Sequence, residues 1–379
     1  MKNVSCIIAA YIVTLKHVII LVMKTKKTLL GIIILFTVLI AGILIWPESK
    51  IITPEEDEKV LFLTTVTHLD RHDEPIYEYN ESRYLDTTQI FRELADLYEE
   101  HGAQLTLEAS TDFAKADEKF GEHLLSELVE RGHGVGAHVD YGIDGQLSRT
   151  EGHPVSNVTY DELVELLIEQ KEIMESLTGQ PLVHSSGTPS TLDWVSANAE
   201  AGFECHSSIV TYYLVSLDEE HRPSGWTDEY ILDGNYHQPF PFVLKDRLNP
   251  WTMDDGTNWT KDNPDGQLVA IPGESGTHLG FFSEYYDQGI TKHAELLKIG
   301  EFNEDDIAAV EKMILEALEK TKTDQINTQY FMLSMTDIRT DYENGFPLLS
   351  GFLTWVDGLV EDGKVEWASI PEMCTSYIE

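Results

Sequence analysis

The chain has 379 residues, which is enough for one large domain or two of ordinary size. All 66 Asp and Glu residues follow Trp46, whereas five of the 26 Lys and Arg residues precede it, so the part after Trp46 carries 45 excess negative charges. This charge argues against binding to nucleic acid or to an anionic membrane surface, and it is typical of an acidic coat that works at high salt.

The N-terminal part contains a long apolar run. Thr28 to Trp46 has no charged residue and follows three lysines, which predicts a transmembrane signal anchor over residues 24–46 with its basic end inside. The bulk of the chain would then be extracellular, in a single-pass protein of the cell membrane. Residues 1–23 are either a leader with a second span or a mis-assigned start, and residues 47–58 are a polar linker.

Two features bear on export. The sequons at Asn80, Asn157 and Asn258 suit an exported glycoprotein. Cys205 and Cys374 could pair outside the cell, but their spacing does not decide whether they do.

After the linker, runs with strand character alternate with amphipathic helical runs. The predicted strands are "KVLFLTTVT", "AQLTLEA", "GAHVDYG", "PLVHSS", "FECHSSIVTYYLV", "QLVAIPG", "QYFMLSM" and "KVEWASI". One of the intervening helices opens with the capping box Thr159-x-x-Glu162. Residues 218–266 break this pattern and form an irregular, aromatic-rich insertion. About seven or eight strand–helix units favour a barrel over an open sheet.

Side chains that can do chemistry follow several predicted strands. His68 and Asp70 share one face because strand side chains alternate, and His138 and Asp140 do the same on the third strand. His184 ends the fourth strand. Imidazole and carboxylate groups are the ligands of a divalent metal such as zinc.

The segment "RGHGVGAHVDYG" resembles the second motif of the polysaccharide deacetylase family. "VLFLTTVTHLD", "HSSGTPSTLDWVSANAEAGF" and "KVEWASIPEM" are similar to its first strand, third motif and closing strand, so the resemblance covers Lys59 to Met373. It implies a distorted (β/α)7 barrel of the polysaccharide deacetylase and glycoside hydrolase type. It also implies metal-dependent hydrolysis of an acyl group on carbohydrate. The chain departs from the family pattern at Gly142, where a second metal-binding histidine is expected.

The resulting hypothesis assigns each candidate a role. Asp70, His138 and His184 are the predicted metal ligands, with Asp140 as an alternative third, and His68 or Asp73 is the catalytic base. His133 is assigned a structural role at a turn. The predicted substrate-binding residues are Asp140, Trp226, Trp251, Trp259 and Asp337.

The predicted function is that of a membrane-anchored extracellular hydrolase that removes acetyl or other acyl groups from carbohydrate with a bound divalent metal. Two alternatives use the same barrel. One is a catalytically inactive glycan-binding surface protein. The other is a glycosidase with paired carboxylates, for which Asp70 with Asp337 or Asp140 are the candidates.

Overall fold

Strands and helices alternate along most of the chain, as the sequence pattern predicts. The computed structural model describes residues 59–69, 77–139, 147–150, 153–156, 159–188, 193–232, 247–287, 302–334 and 342–379. The predicted anchor at residues 24–46, residues 1–23 and the linker at 47–58 lie outside these ranges. Within them, no helix combines the length and apolar character needed to cross a bilayer.

The elements are numbered in chain order. The strands are β1 (Leu61–Leu69), β2 (Leu105–Ala109), β3 (Gly134–His138), β4 (Leu147–Thr150), β5 (His153–Ser156), β6 (His184–Ser186), β7 (Cys205–His206), β8 (Trp251–Met253), β9 (Leu268–Ala270), β10 (Glu274–His278), β11 (Asn327–Met332) and β12 (Val365–Trp367). The helices are α1 (Glu81–Glu100), α2 (Thr111–Phe120), α3 (Leu124–Glu130), α4 (Tyr160–Thr178), α5 (Trp194–Glu200), α6 (Asp228–Leu232), α7 (Phe282–Tyr286), α8 (Glu304–Lys320), α9 (Tyr342–Glu361) and α10 (Ile370–Ile378).

The main sheet is largely parallel. Its central order is β11-β1-β2-β3-β6-β7-β9, and each neighbouring pair in that order is parallel. β12 also pairs with β1, β8 lies antiparallel to β9, and β4 and β5 form a separate hairpin. Parallel strands joined through helices define the α/β class.

One segment joins the two sides of this sheet. β9 pairs with β7, and four residues further on β10 pairs with β11. Between them Gly273 has φ +102°, and its carbonyl accepts a hydrogen bond from Tyr330 N at 3.0 Å. A Cβ at Gly273 would lie 2.2 Å from Thr328 O, so the close approach requires glycine. The sheet therefore curves round on itself to form a distorted barrel.

Helices cover the outside of this barrel. The predicted capping box at the start of α4 is confirmed: Thr159 Oγ1 accepts from Glu162 N at 3.3 Å, and Glu162 Oε2 accepts from Thr159 N at 2.7 Å. The large core between strands and helices includes Leu63, Leu107 and Leu167. These leucines lie on the outward faces of the strands or the inward face of α4, so the opposite strand faces line the interior of the barrel.

The C-terminal helix α10 packs against a second, smaller core. Its Ile370 and Met373 cluster with Val66, Val269 and Tyr330, which come from strands on different sides of the barrel. The start of α10 is also tied to β2, because Ile370 N donates to Thr106 Oγ1 at 3.0 Å. The helix therefore closes the end of the barrel at which the strands begin.

A disulfide fixes this arrangement. Cys205, on β7, is bonded to Cys374, on α10, and both are fully buried. The pairing that the sequence left open is thus formed, and it links two segments 169 residues apart in the chain.

Candidate metal centre

A buried carboxylate lies among histidines inside the barrel. Glu108, on β2, is opposite His68 of β1 and Gly136 of β3 in the strand register. His138 is two residues beyond Gly136 and so lies on the same face of β3. His184 opens β6, one residue before the pair that Ser185 makes with Ala137. The register alone therefore brings one glutamate and three histidines together.

The distances between these side chains are short. His68 Nε2 lies 2.8 Å from Glu108 Oε2, and His138 Nδ1 lies 4.0 Å from the same oxygen. His184 Nε2 lies 3.3 Å from the other oxygen, Oε1. His68, Glu108 and His138 each offer a ligand atom, and these atoms all lie within 4.8 Å of one another. The rings of His68 and His138 are stacked, with centroids 4.0 Å apart.

Serine hydroxyl groups complete the surroundings of the carboxylate. Ser207 Oγ donates to Glu108 Oε1, and Ser208 Oγ donates to Oε2 at 3.5 Å. Ser208 Oγ also lies 3.1 Å from His68 Nε2, and Ser186 Oγ lies 2.8 Å from His138 Nδ1. Each of the groups that can bind a metal therefore has a hydroxyl beside it.

Ser208 has an unusual backbone conformation. Its φ is +54°, in the left-handed region that non-glycine residues rarely adopt. Successive side chains of an extended strand point to opposite faces, yet Ser207 and Ser208 both reach Glu108, and the left-handed turn makes this possible. Ser208 N donates to Tyr330 Oη at 2.7 Å, which holds the turn. Backbone strain of this kind concentrates at functional sites.

The electrostatics favour an ionised carboxylate. Burial by itself raises the pKa of Glu108, but the charge and hydrogen bonds of His68 and His184 outweigh it and hold the pKa well below its usual range. A buried carboxylate is costly unless it is paired with positive charge or binds a metal. Glu108 is thus kept as an anion inside the barrel.

His184 supplies a test of whether a metal ion suits this cluster. It is fully buried; its Nε2 lies 3.3 Å from Glu108 Oε1, and its Nδ1 has no hydrogen-bond partner among the described residues. Its ring occupies the space beside Gly136, where an added Cβ would be 2.0 Å from His184 Nε2. A buried ring nitrogen without a partner calls for an ion or a water molecule. Imidazole and carboxylate ligands suit a borderline divalent metal, so the residues fit one.

Three of the residues singled out from the sequence meet here: His68, His138 and His184. Asp70, Asp73, Asp140 and Asp337 lie outside the described residues, and their assigned roles stay predictions. Glu108 was missed. The only signal for it was a single acidic residue in the strand "AQLTLEA", which otherwise carries apolar and neutral polar side chains.

The tryptophans predicted to bind substrate are only partly accessible. Trp251 and Trp259 are buried, so a sugar ring has no exposed face to stack on. Trp251 Nε1 donates to Trp259 O at 2.6 Å, and Trp259 packs edge-on against Trp194. Trp251 lies on β8, which pairs with β9, and Trp226 is half-buried.

His133 lies apart from the cluster, as predicted. Its Nδ1 accepts from Leu105 N at 3.4 Å, and its Nε2 lies 3.4 Å from Glu99 Oε1. Burial lowers the pKa of His133. These contacts belong to the turn between α3 and β3.

Neither a protein-family model nor a curated protein matches the chain. The crystal structure of PuuE allantoinase matches with a TM-score of 0.50 and 14% identity, over 86% of this chain and 91% of that one. A protein of Mycobacterium smegmatis assigned as a polysaccharide deacetylase has a TM-score of 0.47 and 13% identity, over 85% and 91% of the two chains. A 4-alpha-glucanotransferase of Thermococcus litoralis has a TM-score of 0.48 and 12% identity over 85% of this chain, which spans 41% of that enzyme's length.

These identities are low, so the similarity concerns the fold. The structural neighbours of the chain include a protein assigned as a polysaccharide deacetylase, and the allantoinase match is evidence of a shared fold.

Proposed function

We propose that this chain is a metal-dependent hydrolase that removes acyl groups, acetyl among them, from carbohydrate. The observation that carries the proposal is the cluster of His68 with the buried residues Glu108 and His138, whose ligand atoms lie within 4.8 Å of one another. The carbohydrate substrate rests on the resemblance of Gly132 to Gly142 to the second motif of polysaccharide deacetylases.

His68, Glu108 and His138 would hold the ion, and we propose zinc. Two histidines and one glutamate are a ligand set of catalytic zinc, which keeps a further position open. A bound divalent metal supplies a Lewis acid that polarises the acyl carbonyl and lowers the pKa of water. With both histidines as ligands, the role of proton acceptor passes from His68 to Asp73, the other candidate from the sequence.

The chain's own residues keep this ligand set in place. His184 and the hydroxyl of Ser207 hold Glu108 Oε1, which leaves Oε2 facing His68 and His138. Hydrogen bonds to a ligand fix its orientation before a metal binds, and this raises affinity.

The substitution His138→Ala tests the proposal, with His133→Ala as the matched control. We expect His138→Ala to lose stoichiometric metal, measured by elemental analysis, and to lose release of acetate from N-acetylated oligosaccharides. His133→Ala should keep both, because it lies at the turn outside the cluster. Equal metal content in the wild type and His138→Ala would contradict the proposal.

A second candidate is a glycan-binding protein without catalysis. It is favoured by the contacts of Glu108, whose two oxygens are already engaged by His68, His184 and two serines. A wild type that carries no metal but is retained on immobilised glycans would support this candidate over the hydrolase.

We also propose that the barrel faces the outside of the cell behind the anchor predicted at residues 24–46. The disulfide between Cys205 and Cys374 supports this location, because disulfides persist in oxidising compartments. Protease added to intact cells should remove the barrel, and full protection of the barrel would argue against the proposal.

A further inference from the structure

Two of the three metal-binding residues come from neighbouring strands, β2 and β3, whose ladder ends at the pair of Ala109 with Ala137. The adjoining strand ends are held by the main chain. Ser110 N donates to Leu69 O at 3.2 Å between β2 and β1, and Val139 N donates to Ser186 O at 3.0 Å between β3 and β6. Among the described residues, the contact that joins β2 and β3 beyond their last ladder pair comes from a side chain.

That side chain is Gln170, on α4. Its Nε2 donates to Ala109 O at 3.0 Å and to His138 O at 3.1 Å. Gln170 is 1% exposed, so water does not replace these contacts. The primary amide has two hydrogens, and the two carbonyl groups account for both.

The two carbonyl groups belong to the residue after Glu108 and to His138 itself. A single buried amide therefore ties the backbone beside one ligand to the backbone of another. The carboxylate of Glu108 and the ring of His138 can bind one ion only if the two strand ends keep their spacing, since ligand distances are set within about 0.2 Å.

We propose that Gln170 is a positioning residue for the metal centre. It sets the distance between Glu108 and His138 from a helix outside the barrel, without touching the ion. This inference rests on the proposed function for the role of the metal. The contact itself is independent of that role.

The test compares Gln170→Met, which keeps the length of the side chain and removes both donors, with Asn327→Leu as the control. Asn327 is also a buried amide that donates to backbone carbonyls, those of Val60, Lys322 and Gln325, but it lies where β11 begins, away from the cluster. Both substitutions remove buried amide hydrogen bonds, and Asn327 makes more of them than Gln170, so Asn327→Leu controls for general destabilisation.

The readouts are the dissociation constant for Co²⁺ and its visible absorption spectrum. Gln170→Met should bind Co²⁺ about 10- to 100-fold more weakly, with an altered spectrum, as is typical when a partner of a ligand is removed. Asn327→Leu should bind Co²⁺ like the wild type. Equal affinity and spectrum in all three proteins would overturn the inference. If Gln170→Met does not fold, Gln170→Asn serves, because its shorter amide reaches only one of the two carbonyls.

A second readout separates this inference from the proposed function. In the metal-free proteins, the ring resonances of His138 in nitrogen NMR should shift in Gln170→Met and stay in place in Asn327→Leu. If the wild type binds no Co²⁺, the proposed metal-dependent function is wrong. The His138 resonances then still test whether Gln170 positions that residue. Unchanged resonances in both variants would overturn the inference.

Discussion

Glu108 is the residue on which the candidate site depends. It is fully buried, and it contacts His68, His184, Ser207 and Ser208. The sequence could not reveal it, because its partners come from three other strand regions and one acid within a strand is usually solvent-facing. His68, His138 and His184 could be found from the sequence. One histidine at a strand end is weak evidence for a site, but histidines at several strand ends together indicate one.

The first prediction concerns Gly136, which has no room for a side chain. An added Cβ would lie 2.0 Å from Nε2 and 2.1 Å from Cε1 of His184, so Gly136→Ala must displace that ring. We expect metal affinity to fall at least about tenfold and the free energy of unfolding to fall by about 1 to 3 kcal/mol.

The control for Gly136→Ala is Gly351→Ala, in α9, where an added Cβ has open space. This substitution should leave metal affinity unchanged and raise the free energy of unfolding by up to about 1 kcal/mol, because alanine favours the helix. Unchanged metal affinity in Gly136→Ala, measured by competition titration, would mean that His184 does not contribute to the site.

His206 shows how a buried histidine can be purely structural. Ser185 Oγ donates to Asn198 Oδ1 at 2.6 Å, so it must accept from His206 Nδ1, 3.0 Å away. His206 Nε2 is then the acceptor for the hydroxyl of Tyr213 at 2.7 Å. Both ring nitrogens of the neutral form are satisfied.

The second prediction is a pH dependence of stability caused by His206. Burial lowers its pKa from 6.5 to about 3, so the unfolded chain binds the proton more readily than the folded one. The contribution of His206 to stability is therefore complete above pH 6.5 and is lost as the pH falls from 6.5 towards 3. Denaturant titrations at several pH values give the free energy of unfolding as a function of pH. Between pH 6.5 and 3 the slope of this plot should be smaller in His206→Gln than in the wild type, by up to about 1.4 kcal/mol per pH unit. Identical slopes in the two proteins would contradict this prediction.

At the scale of elements, the order of most strands and helices follows from the sequence pattern. Buried parallel strands appear in the sequence as apolar runs, and the helices carry leucines at helical spacing, so the pattern predicts most elements in order. The segment that begins at Phe203 is different. The sequence pattern predicts one long strand there, but only Cys205–His206 is a strand, because the left-handed turn at Ser208 ends it and a 3-10 helix follows at Thr211–Ser216.

The position of α10 could not be predicted either. Its nine residues form a short amphipathic helix, and such a pattern does not say what the apolar face packs against. The structure shows that it packs against the barrel end, next to Gly134, where an added Cβ would be 2.7 Å from Ser369 Cβ. The disulfide between Cys205 and Cys374 joins α10 covalently to β7.

The third prediction concerns this cross-link. In the double variant Cys205→Ser with Cys374→Ser, the unfolded chain regains the freedom of a loop of 169 residues. We expect the free energy of unfolding to fall by about 2 to 5 kcal/mol, as judged from denaturant titrations. Hydrogen exchange should speed up first in α10. An equal free energy of unfolding and unchanged exchange in α10 would show that the helix is held without the disulfide.

At the scale of the whole molecule, charge is the dominant feature. The part of the chain after Trp46 has 45 excess negative charges, because it contains 66 acidic and 21 basic residues. Repulsion among like charges is stronger in the compact state than in the extended chain, and dissolved salt screens it.

The fourth prediction is therefore that the melting temperature of the barrel rises as the ionic strength increases from low to molar salt. Scanning calorimetry in a chloride salt measures it, and a chain with balanced charge serves as the control. A melting temperature that stays level or falls would contradict the account of the acidic surface.

The whole account depends on whether a metal ion sits in the barrel and which residues hold it. Anomalous X-ray scattering from crystals, recorded at the absorption edge of the metal that copurifies, locates the ion directly. We predict one site per chain, with His68, Glu108 and His138 as ligands at about 2.0 to 2.2 Å. A crystal of the metal-replete protein with no anomalous peak inside the barrel, or with a peak bound without Glu108, would contradict the central claim.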